Sequence, residues 1–117
     1  MSTLVIDPPT KCPPFDNSQR IVAIGGEHDM STIEGLSLLF ADAIGDGGDP
    51  LVVDLSAVSF MDASVVGMLV RTRARMAEDG KALIVQAPSR QARRVLDMCD
   101  EINPLGLVVR DCAAFRS

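Results

Sequence analysis

Short apolar runs alternate with longer amphipathic runs along most of this chain. Ile21-Val22-Ala23-Ile24-Gly25 reads as a strand. Residues 31–44 read as a helix, because Ile33, Leu36, Phe40 and Ala43 recur at helical spacing and Gly45 with Gly47-Gly48 ends the run. At its start, Ser31-Thr32-Ile33-Glu34 fits a capping box, in which Ser31 and Glu34 each satisfy an orphan donor. Leu51-Val52-Val53-Asp54-Leu55 is apolar on both faces, as a buried parallel strand is. A second helix follows over 63–78 and stops at Asp79-Gly80. Ala82-Leu83-Ile84-Val85-Gln86 is the next strand. A third helix starts at Pro88-Ser89, with Ser89 as N-cap, and sets Ala92, Val95, Leu96 and Cys99 on one face. Leu107-Val108-Val109-Arg110 is the last strand.

The order β-α-β-α-β-α-β requires crossover connections. The expected fold is therefore α/β, with a mainly parallel sheet of four to five strands and helices packed on it. A short first strand over 3–6 precedes it, followed by a loop over 8–18 whose four prolines exclude regular helix or central strand. At 117 residues the chain reads as one domain, with 1–18 the strand and Pro-rich loop and 19–110 the core. Periodicity goes no further. A receiver, a flavodoxin-like domain and a small Rossmann half share the same pattern.

Composition narrows the functional classes. Hydrophobic residues make up 47% of the chain, and four Phe with no Trp or Tyr make the core aliphatic. Such a chain lacks platforms for base stacking. Its net charge of −5 repels nucleic acid and anionic lipid on average, so the expected partner is a protein. No run approaches the roughly 18 apolar residues of a membrane span. The N-terminus has neither the basic start nor the apolar stretch of a signal peptide. The expected location is cytoplasmic, without membrane insertion.

Candidate chemistry is sparse. Cys12, Cys99 and Cys112 are odd in number and form no CxxC pair, and His28 is the single histidine. Neither a disulfide framework nor a metal site is expected, and no cofactor. Cys99 reads as core, while a reactive thiol at Cys12 or Cys112 stays open. The chain has no G-x-S-x-G elbow, no P-loop and no G-x-G-x-x-G, so it is not expected to be an enzyme. A receiver would need an acidic pair after its first strand and a Lys after its last, and both are missing.

The central stretch Asp54-Leu55-Ser56-Ala57-Val58-Ser59-Phe60-Met61-Asp62-Ala63-Ser64-Val65 resembles the signature of the STAS family. There a strand ending in Asp-Leu-Ser leads through Phe-x-Asp-Ser-Ser-Gly into a helix. Gly26-Glu27-His28-Asp29 resembles the family's Gly-Glu-Leu-Asp, and Arg94-Val95-Leu96-Asp97-Met98 its third-helix motif. The resemblance covers roughly residues 19 to 110. It implies a STAS fold and, for members of the anti-anti-sigma kind, an anti-sigma factor antagonist. Such a protein binds an anti-sigma factor that is also a serine kinase and so frees sigma factor. Phosphorylation of the serine at the helix start breaks the complex. By motif position that serine is Ser64, with Asp62 and Asp29 on the acidic positions beside it. The alternative is an accessory or scaffold subunit of a transporter or sensory complex, with Ser64 a contact that is never phosphorylated. Homodimerisation is left open.

The physics of Ser64 suits a switch. A phosphate at a helix N-terminus is favoured by free N–H groups and the dipole, and it adds about −1.5 to −2 charges. A partner packed there would meet a hydrated dianion beside Asp62 while the fold persists. From Ser64, helical geometry sends Met68, Arg71 and Arg75 outward and Val65, Val66, Leu69, Val70, Met76 and Ala77 toward the core, with Arg73 snorkelling. The candidate partner-binding set is Asp29, Ser31, Asp62, Ser64, Val65, Met68 and Arg71. Asp62 doubles as N-cap, Asp29 shapes the loop before Ser31, and Asp54 ties down its strand end. The chain departs from the family pattern at Ala63 and Val65, where the motif has Ser and Gly. Val65 fills the core, hinders a kinase or selects a different partner. Gly67 leaves room for a close helix neighbour. Residues 111–117 are too few for the closing helix many members have.

Overall fold

The computed structural model describes residues 5–7, 20–45, 47 and 49–111. Five strands form one sheet: β1 (Val5–Asp7), β2 (Arg20–His28), β3 (Leu51–Met61), β4 (Leu83–Gln86) and β5 (Val108–Arg110). Three helices connect the last four of these: α1 (Ile33–Gly45), α2 (Ala63–Glu78) and α3 (Arg90–Ile102). The strand order is β1-β5-β4-β3-β2, and every pairing is parallel. The expected α/β sheet is therefore present. The Pro-rich stretch 8–18, Cys12 and Cys112 lie outside the described residues.

From β2 to β5, each crossover steps to the next strand in the same direction. Right-handed connections of that kind put all three helices on one face of the sheet. Alternation within each strand then decides which side chains are covered. Val22, Val53, Val85 and Val109 stand in register across four strands, all buried beneath the helix layer. Leu36 and Phe40 of α1, Leu69 and Met76 of α2, and Ala92 and Leu96 of α3 close over them. Each buried aliphatic side chain contributes about 1.5–3 kcal/mol. The next register row, Asp54, Gln86 and Arg110, faces the other way. Asp54 and Gln86 are buried there, and the Gln86 amide approaches the Asp54 carboxylate at 3.4 Å.

β2 and β3 run past the apolar pattern that marks them. Register shifts fall between Ala23 and Gly25 and between Gly26 and Glu27, and at each one β3 carries an extra residue. Asp54 explains the first. Its carboxylate accepts from the Ser56 N–H at 2.9 Å and from the Ser56 hydroxyl at 2.6 Å. That turn diverts Ser56 from the ladder, as a β-bulge requires. Opposite it, a Cβ on Gly25 would lie 3.2 Å from the Ala57 Cβ, and Gly26 has φ of 84°. Both positions call for glycine.

Helix boundaries follow the caps. α2 and α3 occupy the expected spans, and the Ser89 hydroxyl accepts from the Ala92 N–H at 3.2 Å. The start of the first helix differs from expectation. Ser31 is not its cap; it lies inside a short 3₁₀ turn, Met30–Thr32, that Asp29 caps. The capping box is Asp29 with Thr32, two residues upstream of the one read from Ser31 and Glu34. Cys99 packs against the core, and burial pushes its thiol pKa up, which disfavours the reactive thiolate.

Candidate functional site

β2 and β3 end together. His28 pairs with Met61, so the next residue of each strand, Asp29 and Asp62, opens the turn into a helix at the same edge of the sheet. The two turns have the same construction. The Asp29 carboxylate accepts from the Ser31 N–H at 2.8 Å and from the Ser31 hydroxyl. The Asp62 carboxylate accepts from the Ser64 N–H at 3.0 Å and from the Ser64 hydroxyl. In each case Asp-x-Ser supplies a cap and orients a hydroxyl with one carboxylate oxygen. The Ser31 hydroxyl and N–H, with His28 nearby, hold the Asp29 carboxyl below its ordinary range.

Two further side chains fix this corner, and sequence reasoning gave neither a role. The Gln91 side chain of α3 bonds the backbone N–H and carbonyl of Met61, the residue before Asp62. The His28 ring bonds the Gly25 carbonyl at 2.9 Å and the Thr32 hydroxyl at 3.2 Å, spanning the turn from β2 to α1. A polar residue in the first turn of a helix is too common to signal the first contact. The second could be sought only because His28 stands where the family motif has Leu.

Not every expected contact lies at this corner's surface. Asp29 and Ser31 are exposed, and Asp62 and Ser64 are half-buried. Val65 and Met68 are buried in the core, at 2% and 3% exposure. Val65 lies on the core side as expected, but Met68, expected to point outward, does not, because α2 packs against both the sheet and α1 and its buried arc takes in Met68. Ala77, expected inside, is exposed. Arg71 is exposed as expected, and its guanidinium lies 3.2 Å from where a Cβ on Gly67 would stand. Gly67 thus makes room for Arg71, which folds back along the helix toward Ser64, and not for a neighbouring helix. Two exposed apolar side chains flank the turns: Met30, between Asp29 and Ser31, at 76% exposure, and Phe60, paired with Glu27, at 44%. Apolar surface beside ordered polar groups is the composition of a protein contact.

Among the described residues no group of His, Cys, Asp or Glu could hold a metal ion. No helix among them is long and apolar enough to cross a membrane.

A family model described as "Mlab, STAS domain" matches residues 14–100. The chain belongs to the STAS domain family. Solved structures share the STAS fold at low identity. The anti-sigma factor antagonist SpoIIAA, in its unphosphorylated form, is 21% identical, with a TM-score of 0.65 and 84% of each chain covered. A candidate anti-sigma factor antagonist from Thermotoga maritima is 16% identical at a TM-score of 0.71, covering 85% of this chain and 84% of that one. A sulfate transporter family protein from Wolinella succinogenes is 19% identical at a TM-score of 0.66, covering 90% and 88%. No curated protein matches this STAS chain in sequence.

Proposed function

We propose that this STAS protein is an anti-sigma factor antagonist that works by binding and not by catalysis. Its contact surface is the corner of Asp29, Ser31, Asp62 and Ser64, bordered by Met30, Phe60 and Arg71. It engages an anti-sigma factor with serine kinase activity and releases it when Ser64 is phosphorylated. On this reading the protein acts in the cytoplasm, where ATP-dependent phosphorylation takes place.

The observation that carries the reading is the Ser64 hydroxyl, half-exposed in the first turn of α2 and bonded to the cap Asp62. Phosphoryl transfer to Oγ removes the proton that Ser64 donates to Asp62. The carboxylate then faces an ester oxygen and a dianion of about −1.5 to −2 charges. Free N–H groups at the start of α2 offset part of that charge, so the fold persists. A partner surface packed over Asp62 has no such compensation and loses affinity.

A second reading, an accessory subunit of a transporter, has support in the likeness to a sulfate transporter family protein. There Ser64 would be a contact only. Paired baits, the wild-type chain and Ser64→Glu, distinguish the two in a pull-down from the native host. A kinase-type anti-sigma factor recovered by the wild-type chain alone supports the switch. Transporter components recovered by both would sink it.

A further inference from the structure

The groove between α1 and α2 carries a different chemistry from the strand-end corner. It encloses about 510 Å³ and opens to solvent. Its floor is apolar, formed by Phe40 and Ile44 of α1 and Met68 and Met76 of α2. One wall is low. Ser37, Ala41 and Gly45 recur every fourth residue along α1, so nothing longer than a hydroxymethyl group rises on that side. The other wall is cationic. Arg71 and Arg75, one turn apart on α2, line it, and neither forms an ion pair among the described residues. Acidic side chains, Glu78 and Asp79, line only the far end, where Lys81 offsets one of them.

In a chain of net charge −5, two guanidinium groups with no ion pair among the described residues reverse the local sign above the apolar floor. The shape matters as much as the charge. A row of small residues at four-residue spacing, facing a row of long ones, is a groove into which the ridge of another helix fits. Phe40, Met68 and Met76 are nearly fully buried, which leaves a shallow trough and no deep slot for an alkyl chain.

We propose that this groove docks an acidic amphipathic helix of a partner protein. Apolar side chains of that helix rest on the floor, while its carboxylates pair with Arg71 and Arg75 in charge-assisted hydrogen bonds. The groove meets the Ser64 corner at Arg71 and runs from there along α2 to Arg75, and the proposal does not require Ser64 to be modified.

The test uses two synthetic helices of about 15 residues, long enough to fold on binding. One carries Leu along one face and Glu elsewhere; the other has Lys for every Glu. Each is titrated into the isotope-labelled full chain and followed by NMR. The Glu peptide is expected to shift amides of α1 and α2 around the groove, and the Lys peptide to leave them in place. Arg71→Glu or Arg75→Glu should weaken the Glu peptide roughly tenfold, because an attraction becomes a repulsion of similar size. Ala41→Phe, at an exposed position that can take the side chain, should block it. Equal binding of both peptides, shifts confined to another face, or no shifts at all would overturn the proposal. So would saturable binding of decanoate in the groove with none of the Glu peptide.

Discussion

Gln91 holds Met61 by both of its backbone polar groups. Its amide oxygen accepts from the Met61 N–H at 2.8 Å, and its amide nitrogen donates to the Met61 carbonyl at 3.2 Å. Met61 is buried, so water cannot replace either bond. α3 thereby braces the residue that leads directly into Asp62 and Ser64. Gln91→Ala is expected to lower stability by about 1–3 kcal/mol, the cost of unsatisfied buried groups, measured by urea unfolding. Partner affinity should also fall in conditions where the variant remains fully folded. Unchanged stability would show that the contact is incidental.

The Asp62–Ser64 pair separates capping from switching. Asp62→Ala removes an N-cap and should cost about 1 kcal/mol. Ser64→Ala keeps the cap and should change stability by less than about 0.5 kcal/mol. Ser64→Ala should still bind the anti-sigma partner but accept no phosphate from it. Ser64→Glu should retain the circular dichroism of the parent and bind the partner at least tenfold more weakly. Equal affinities for the two variants in a titration would rule out charge at Ser64 as the switch.

Asp29 carries an acid-range signature. Its folded pKa lies below the ordinary value of 3.8, chiefly because the Ser31 hydroxyl and N–H bond the charged form. Its contribution to stability is therefore fully present above that value and disappears as pH falls through the lower, folded one. Asp29→Asn should flatten the decline in urea midpoint below about pH 4 and leave the slope near neutrality unchanged. A parent-like acid limb in the variant would exclude the assignment.

Val65 stands where the family motif has Gly, yet its side chain faces the core and not a kinase. Val65→Gly should destabilise the fold by about 3 kcal/mol, from lost burial together with the helix cost of glycine. The rate of Ser64 phosphorylation per folded molecule should stay the same. A faster rate would show that Val65 restricts access after all.

Gly67 offers the opposite case. A Cβ there meets only the Arg71 guanidinium, the mobile end of an exposed side chain. Gly67→Ala should stabilise α2 by about 0.5–1 kcal/mol, read as a rise in melting temperature. A fall would mean that Arg71 cannot swing aside.

Helices were legible wherever cap and periodicity agreed. α2 begins after Asp62 and α3 after Ser89, as their sequences imply. The far halves of β2 and β3 were not, because the extra residues that β3 carries at Ser56 and Ser59 break the alternation that marks a strand. Met68 shows a different limit. A helical wheel orders positions around one axis, but which arc is covered depends on where the neighbouring helix lies. α1 covers Met68, and nothing within α2 announces that. The Gln91 grip on Met61 joins residues thirty apart in sequence and could not be read from either.

β2 is the outermost strand on its side of the sheet among the described residues, and the paired Asp-x-Ser turns follow it and its inner neighbour. The candidate contact area therefore sits on a vertex of the molecule, not in the middle of a face. A flat partner would touch a vertex at few points. A protein that grips it tightly needs a recess that reaches over the strand ends and down the flank, so much of the selectivity for this chain would reside in the shape of the partner's hollow.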